Sequence, residues 1–228
     1  MTDGEALFAA ILAEPEEDTP RLVYADWLDE NGQPERAAFI RVQVAMETAP
    51  SQPLKASEKV LLALHGDTWL APLKMRGQPL DGGAAGMFRR GFVEIVWLTA
   101  RAFIEKAPLL FARAPVRELR VTRSTAEDFQ SLMTSPRLAR LRTLDLSSQQ
   151  LGDRGVAALV RSQFSSTLKV LRFRGCGISD FGAMALADAD FDRSLRELDL
   201  SFNPISESAR SALHDKFGPA LVLNGCDL

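Results

Sequence analysis

Acid–base or nucleophilic chemistry at neutral pH asks first for histidine or an activated cysteine, and this chain of 228 residues has two of each. His65 and His214 fall in segments of helical pattern, far apart, with no cysteine or second histidine at metal-ligand spacing. Neither is a candidate for catalysis or metal binding. Cys176 and Cys226 occupy equivalent positions of two repeating blocks with one block between them. Two strand spacings place them roughly 10 Å apart, beyond the ~7 Å reach of a disulfide, so both are expected as buried free thiols. Gly77, Gly82, Gly83, Gly86 and Gly91, with Arg89 and Arg90, form a glycine-rich stretch, but the lysine and hydroxyl of a phosphate-binding loop do not follow it. Residues 77–91 therefore read as a turn-rich junction, and no cofactor site is indicated.

The remaining chemistry is recognition by charge and aromatic surface. Arg120, Asp145, Arg172 and Asp199 stand at equivalent outward positions of successive blocks, an alternation that sets opposite charges side by side on neighbouring strands. Such a ladder stabilises a sheet. Together with Glu118, Arg174, Glu197 and an exposed Phe202 it is also a mixed-charge recognition surface with an aromatic anchor, the composition of binding hot spots. A second column, Arg117, Arg142, Lys169 and Arg196, reads as a solvated strand edge or as a patch for an acidic partner. Near the N-terminus, Arg21, Asp26, Asp29, Glu30 and Arg41 surround Tyr24 and Trp27, either as a polar pocket or as a salt-bridged surface whose aromatics hold helices together.

The elements that position the columns come from an internal repeat. Leu141-Arg-Thr-Leu144-Asp-Leu146, Leu168-Lys-Val-Leu171-Arg-Phe173 and Leu195-Arg-Glu-Leu198-Asp-Leu200 begin 27 residues apart, twice in succession. Gln149, Cys176 and Asn203 follow in phase, then Leu151, Ile178 and Ile205. Gly155 to Leu159, Gly182 to Leu186 and Ala209 to Leu213 place small residues and a leucine at helical spacing, with Ser179 and Ser206 ahead of two of them as caps. Each block is a strand, a turn and a helix. One such unit cannot bury its own apolar faces, so the copies must stack, strands inside and helices outside. Looser copies flank the clear ones: strands at Phe92 to Trp97 and Val116 to Val121 with a helix from Phe103 to Arg113 between them, and a last strand at Leu221 to Leu223. That makes about six strands.

The L-x-x-L-x-L-x-x-N/C-x-L pattern over residues 92–228 resembles the ribonuclease-inhibitor-like class of leucine-rich repeats, whose members mostly bind proteins. The resemblance implies a right-handed α/β solenoid with five or six strands on the concave face and helices on the convex one.

Residues 1–76 carry no repeat and read as three or four amphipathic helices. Asp18-Thr19-Pro20 is a helix start and Asn31-Gly32-Gln33-Pro34 a stop followed by a restart. The run Arg21-Leu-Val-Tyr24-Ala-Asp-Trp27-Leu28, with Pro34, Ala37, Phe39-Ile40-Arg41 and Gln43, resembles the bacterial repeat-companion domain, a module found beside leucine-rich and other repeats. Ala38 departs from that pattern, which usually has an acidic residue there. The resemblance implies a cytoplasmic repeat protein whose N-terminal domain is an all-helical cap.

With 46% hydrophobic residues the chain can bury a core, and a net charge of -3 offers no long-range pull on phosphates. Neither nucleic acid nor a membrane is expected as a partner. Asp3 and Glu5 at the start are unlike the basic opening of a secretory signal. The expected function is non-enzymatic binding of a protein partner on the strand face. The alternatives are regulation of an enzyme, such as a small GTPase, or an activity in the N-terminal helices. The open edge of the last strand also suggests pairing of two copies.

Overall fold

The computed structural model describes residues 2–73, 86–163, 165–189 and 195–225. The chain divides into two compact units, Met1–Val96 with Pro108–Val116, and Trp97–Ala107 with Arg117–Leu228.

The first unit opens with four helices, α1 (Asp3–Ala13), α2 (Thr19–Glu30), α3 (Pro34–Thr48) and α4 (Gln52–Leu70). Their starts follow from local chemistry. Thr2 and Glu5 form a reciprocal capping box on α1, the Ser51 hydroxyl accepts from the Leu54 amide on α4, and proline occupies the first turn of α2, α3 and α4. Asp18 heads α2, but its side chain makes no capping bond and instead faces Arg90 at 3.4 Å. Ile11, Ala25, Leu28, Ala37, Ile40 and Phe92 form the core, with Phe8, Tyr24, Trp27 and Val44 packed against it.

The described part of the glycine-rich stretch is a strand and a turn. Strand β1 (Gly86–Arg89) pairs antiparallel with β2 (Phe92–Leu98) through the two-residue loop Arg90-Gly91, both with positive φ. That is the loop whose twist suits a tight hairpin. Residues 77–85 of the expected junction lie outside the described residues.

Beneath this hairpin lies a buried ionic cluster. Arg21, fully buried, is 2.8 Å from the Glu94 carboxylate and donates to the carbonyls of Pro15 and Arg90. Arg90 donates through Nε and Nη2 to the two oxygens of Glu94. Burial is the largest influence on both ends: it raises the Glu94 carboxyl above its usual range against the pull of the two arginines, and lowers Arg21 to about 10 against the pull of Glu94.

In the second unit the strands β3 (Glu118–Val121), β4 (Thr143–Asp145), β5 (Val170–Arg172), β6 (Glu197–Asp199) and β7 (Leu221–Val222) run parallel in chain order. The helices of this region are α5 (Ala100–Arg113), α6 (Ala126–Met133), α7 (Gly152–Val160), α8 (Asp180–Asp188) and α9 (Glu207–Phe217). The division between units crosses α5 at Pro108, where proline deletes a helix hydrogen bond. Leu119, Leu144, Leu171, Leu198 and Leu221 stand in one register across the ladder, and the first four are wholly buried. The solenoid of strands and helices is as expected. The six anticipated strands are β2 to β7, and β1 is the addition.

Glu94→Gln keeps the shape of the side chain but leaves the fully buried Arg21 without its ion-pair partner and Arg90 with Asp18 at 3.4 Å. It should cost about 3–5 kcal/mol, read as a lowered urea midpoint with an unchanged slope.

Candidate functional site

The strand face of the second unit is built from the turns upward. Each strand leaves through a turn whose inward polar atoms water cannot reach. In the β6 turn the Asn203 amide satisfies them: its nitrogen donates to the carbonyls of Phe173 and Leu200, both at 2.8 Å, and its oxygen accepts from the amides of Cys176 and Ile178, both at 3.0 Å. One repeat earlier Cys176 takes this position, its thiol 3.1 Å from the Leu146 carbonyl. Burial pushes that thiol up to about 11, so it is neutral at physiological pH and no nucleophile. Cys176 is free and buried as expected, and Cys226 lies outside the described residues.

The same turns hold Ser148, Gly175 and Phe202, one per repeat, in the left-handed region, with φ of 60°, 61° and 60°. Glycine fits there without strain, whereas a side chain costs about 1–2 kcal/mol. A bulky aromatic in this conformation is a genuine outlier. Phe202 is 49% exposed, and the Arg174 guanidinium sits 4.0 Å from its ring centroid. The turn thus holds an aromatic ring and its cation at the surface.

Arg120, Asp145, Arg172 and Asp199 lie directly opposite one another in the parallel register. The charge alternation is present in the sheet, but the short ion pairs run to the neighbouring glutamates. Arg120 Nε donates to Glu118, and Arg172 Nε donates to Glu197 at 2.7 Å with Glu118 at 3.8 Å. The two aspartates close their own turns, accepting from the Ser147 and Ser201 amides. Burial weakens the Arg172 charge, and the Glu197 hydrogen bond with the fields of Glu197, Glu118 and Asp145 outweighs it, holding the guanidinium firmly protonated. Arg120 also lies 5.0 Å from the ring centroid of Trp97.

Sequence reasoning missed Trp97 as a member of this face. Aligning Phe92 to Trp97 on the repeat pattern puts Glu94 and Val96 outward, yet both are buried and Trp97 is half-exposed. It also missed Asp153 and Asp180, 27 positions apart. Each carboxylate accepts from the amide and the hydroxyl of the serine that opens the following repeat's helix, Ser179 and Ser206 respectively. Ser179 caps α8 as expected, whereas the Ser206 hydroxyl turns to Asp180 and makes no capping bond to α9. In the second column, Arg117 and Arg142 donate to the carbonyls of Arg140 and Thr167, stitching loops together.

The N-terminal candidates do not converge on one pocket. Tyr24 and Trp27 stack at 5.8 Å, Arg41 bridges Asp26 and Asp29 at the surface, and Arg21 belongs to the buried cluster with Glu94. His65 stacks on Trp69 at 5.3 Å in α4, and His214 lies in α9. Among the described residues no group of three or more histidines, cysteines and carboxylates is placed to hold a metal, and no helix is long and apolar enough to cross a membrane.

Stacked strand–turn–helix units with an asparagine or cysteine beneath each turn are the architecture of leucine-rich repeats. Residues 140–160, 164–187 and 191–213 match the family model described as Leucine Rich repeat. The ribonuclease inhibitor of Sus scrofa is 43% identical over 67 residues, 28% of this chain and 15% of that protein. The chain therefore matches only a small part of that relative's length.

Phe202→Gly relieves the left-handed strain while giving up the Arg174 contact, so stability should stay within about 1 kcal/mol of wild type. The fully buried Phe173 gives the contrast, since Phe173→Ala should cost about 3–5 kcal/mol. Chemical denaturation of both variants checks the pair, and a loss above about 2 kcal/mol for Phe202→Gly would mark Phe202 as a packing residue.

Proposed function

We propose that the chain is a non-enzymatic binding module that takes a protein partner on the strand face of its repeats. The observation that carries this reading is Phe202, an exposed aromatic kept in a left-handed turn where a neighbouring repeat uses glycine. Strain retained at an exposed position is characteristic of residues that serve a site. Beside it lie Arg174 and, along the face, Arg172, Glu197, Glu118, Arg120, Asp145 and Asp199, charges already fixed by one another or by their turns. Prefixed side chains lose little freedom on binding. A partner suited to this face offers an apolar pocket for the Phe202 ring, rimmed by groups of both signs.

Two comparisons support the reading. The repeats matched by the family model are of a type that generally mediates protein–protein contact, and the similar protein of Sus scrofa is named as a ribonuclease inhibitor. The N-terminal helices fit the role of a repeat-companion module in a cytoplasmic protein, with the surface pairs of Arg41 and the stacked Tyr24 and Trp27 shaping that unit rather than forming a reaction site.

Affinity capture from a native extract with wild type, Phe202→Gly and Arg172→Glu tests the proposal. The expected result is a protein retained by wild type and reduced at least tenfold by each variant, an aromatic or arginine hot spot being worth about 2 kcal/mol or more. Equal recovery by all three contradicts it. Loss confined to an Arg41→Ala variant of unchanged fold would move the function to the N-terminal unit.

A further inference from the structure

The first unit carries an open cavity of about 440 Å³, within the size range of small-molecule sites. Its lining is aromatic and apolar, with Tyr24, Trp69, Phe88 and Phe92 among the walls. Among the described lining residues Arg36 and Arg113 are cationic, and none is acidic. Arg113 is exposed and donates to the Pro72 carbonyl.

Arg36 is the unusual member. Its guanidinium carbon lies 4.8 Å from the ring centroid of Trp69 and 5.1 to 5.6 Å from those of Phe92, Phe39 and Phe88. Nη2 donates to the Gly91 carbonyl, while Nη1 is shut away from water with no hydrogen-bond partner. Among the described residues no carboxylate compensates the charge. The largest influence on it is burial, which lowers Arg36 to about 10, and the Tyr24 phenol works the other way. The group is still a cation at neutral pH.

Arg21 is fully buried with Glu94 and two carbonyls, whereas Arg36, partly exposed, has ring faces and one carbonyl. Ring faces attract a cation without occupying its N–H donors. A buried charge without a counter-charge is costly, and because Arg36 lines the cavity an incoming oxyanion would supply one. Arginine is suited to this because its planar fork matches a carboxylate.

We infer that the cavity is a binding site for a small aromatic carboxylate, which supplies the counter-charge to the Arg36 guanidinium and whose ring lies among Tyr24, Trp69 and Phe88. The aromatic body is chosen by the walls and the carboxylate by the unpaired cation. Arg113 adds attraction for the same charge. This site is independent of the strand face of the second unit.

The probes are phenylacetate and its neutral analogue phenylacetamide, titrated into the full chain at pH 7.5 with saturation-transfer NMR as the readout. Phenylacetate should bind at least tenfold more tightly than the amide. Arg36→Met should abolish that preference, and Arg36→Lys should keep part of it, separating charge from the packing of the long side chain. Equal binding of the two probes by wild type, no transfer to phenylacetate up to about 10 mM, or an undiminished preference in Arg36→Met each overturns the inference. The wild-type comparison stands even where a variant fails to fold.

Discussion

The buried amide of Asn203 is the interaction on which the strand face depends. A solenoid turns each strand inward at its end, and the backbone groups exposed there face protein rather than solvent. Asn203 meets four of them with one side chain, two carbonyls and two amides drawn from its own repeat and the one before. Leaving such groups unmet costs about 1–3 kcal/mol each, so the turn has little freedom to relax. Phe202 is the neighbour of Asn203, and its left-handed backbone is tolerable because the turn around it is fixed from beneath. The face offered to a partner is therefore set by atoms the partner never touches.

Charge is handled differently in the two units. In the first, Arg21, Glu94 and Arg90 are paired inside the protein, where burial opposes both signs and the pairs hold them. Arg36, which lines a cavity, has no carboxylate partner among the described residues. In the second, Arg120, Arg172 and Glu197 are partly exposed and, with the buried Glu118, engage one another along the sheet. Paired surface charges of this kind add little stability. Their value is positional, since they hold guanidinium groups at a defined spacing beside an aromatic ring.

The repeats were legible because their period is long and repeated without slippage: Leu144, Leu171 and Leu198 mark the strands, and Cys176 and Asn203 mark the turns. The outward residues followed from strand alternation, so Arg120, Asp145, Arg172 and Asp199 were found in register. Their hydrogen-bond partners were not, because long side chains reach diagonally and an aspartate next to a turn prefers the nearby amide. Strand β1 escaped because Gly86 to Arg89 is short, opens with glycine and sits in a glycine-rich stretch. Trp97 escaped because β2 is covered on both faces along most of its length, which erases the alternation. The role of Arg21 and the isolation of Arg36 depend on residues more than fifty positions away, Glu94 and Gly91, and no local spacing reveals such meetings.

Native-state hydrogen exchange on Asn203→Ala is the most direct test that this side chain holds the face in place. The account predicts a stability loss of at least about 3 kcal/mol, with the Cys176 and Ile178 amides changing from slow to fast exchange while the Leu119 amide in β3 keeps more of its protection. Retained protection at Cys176 and Ile178, with a stability loss below about 1 kcal/mol, would contradict it.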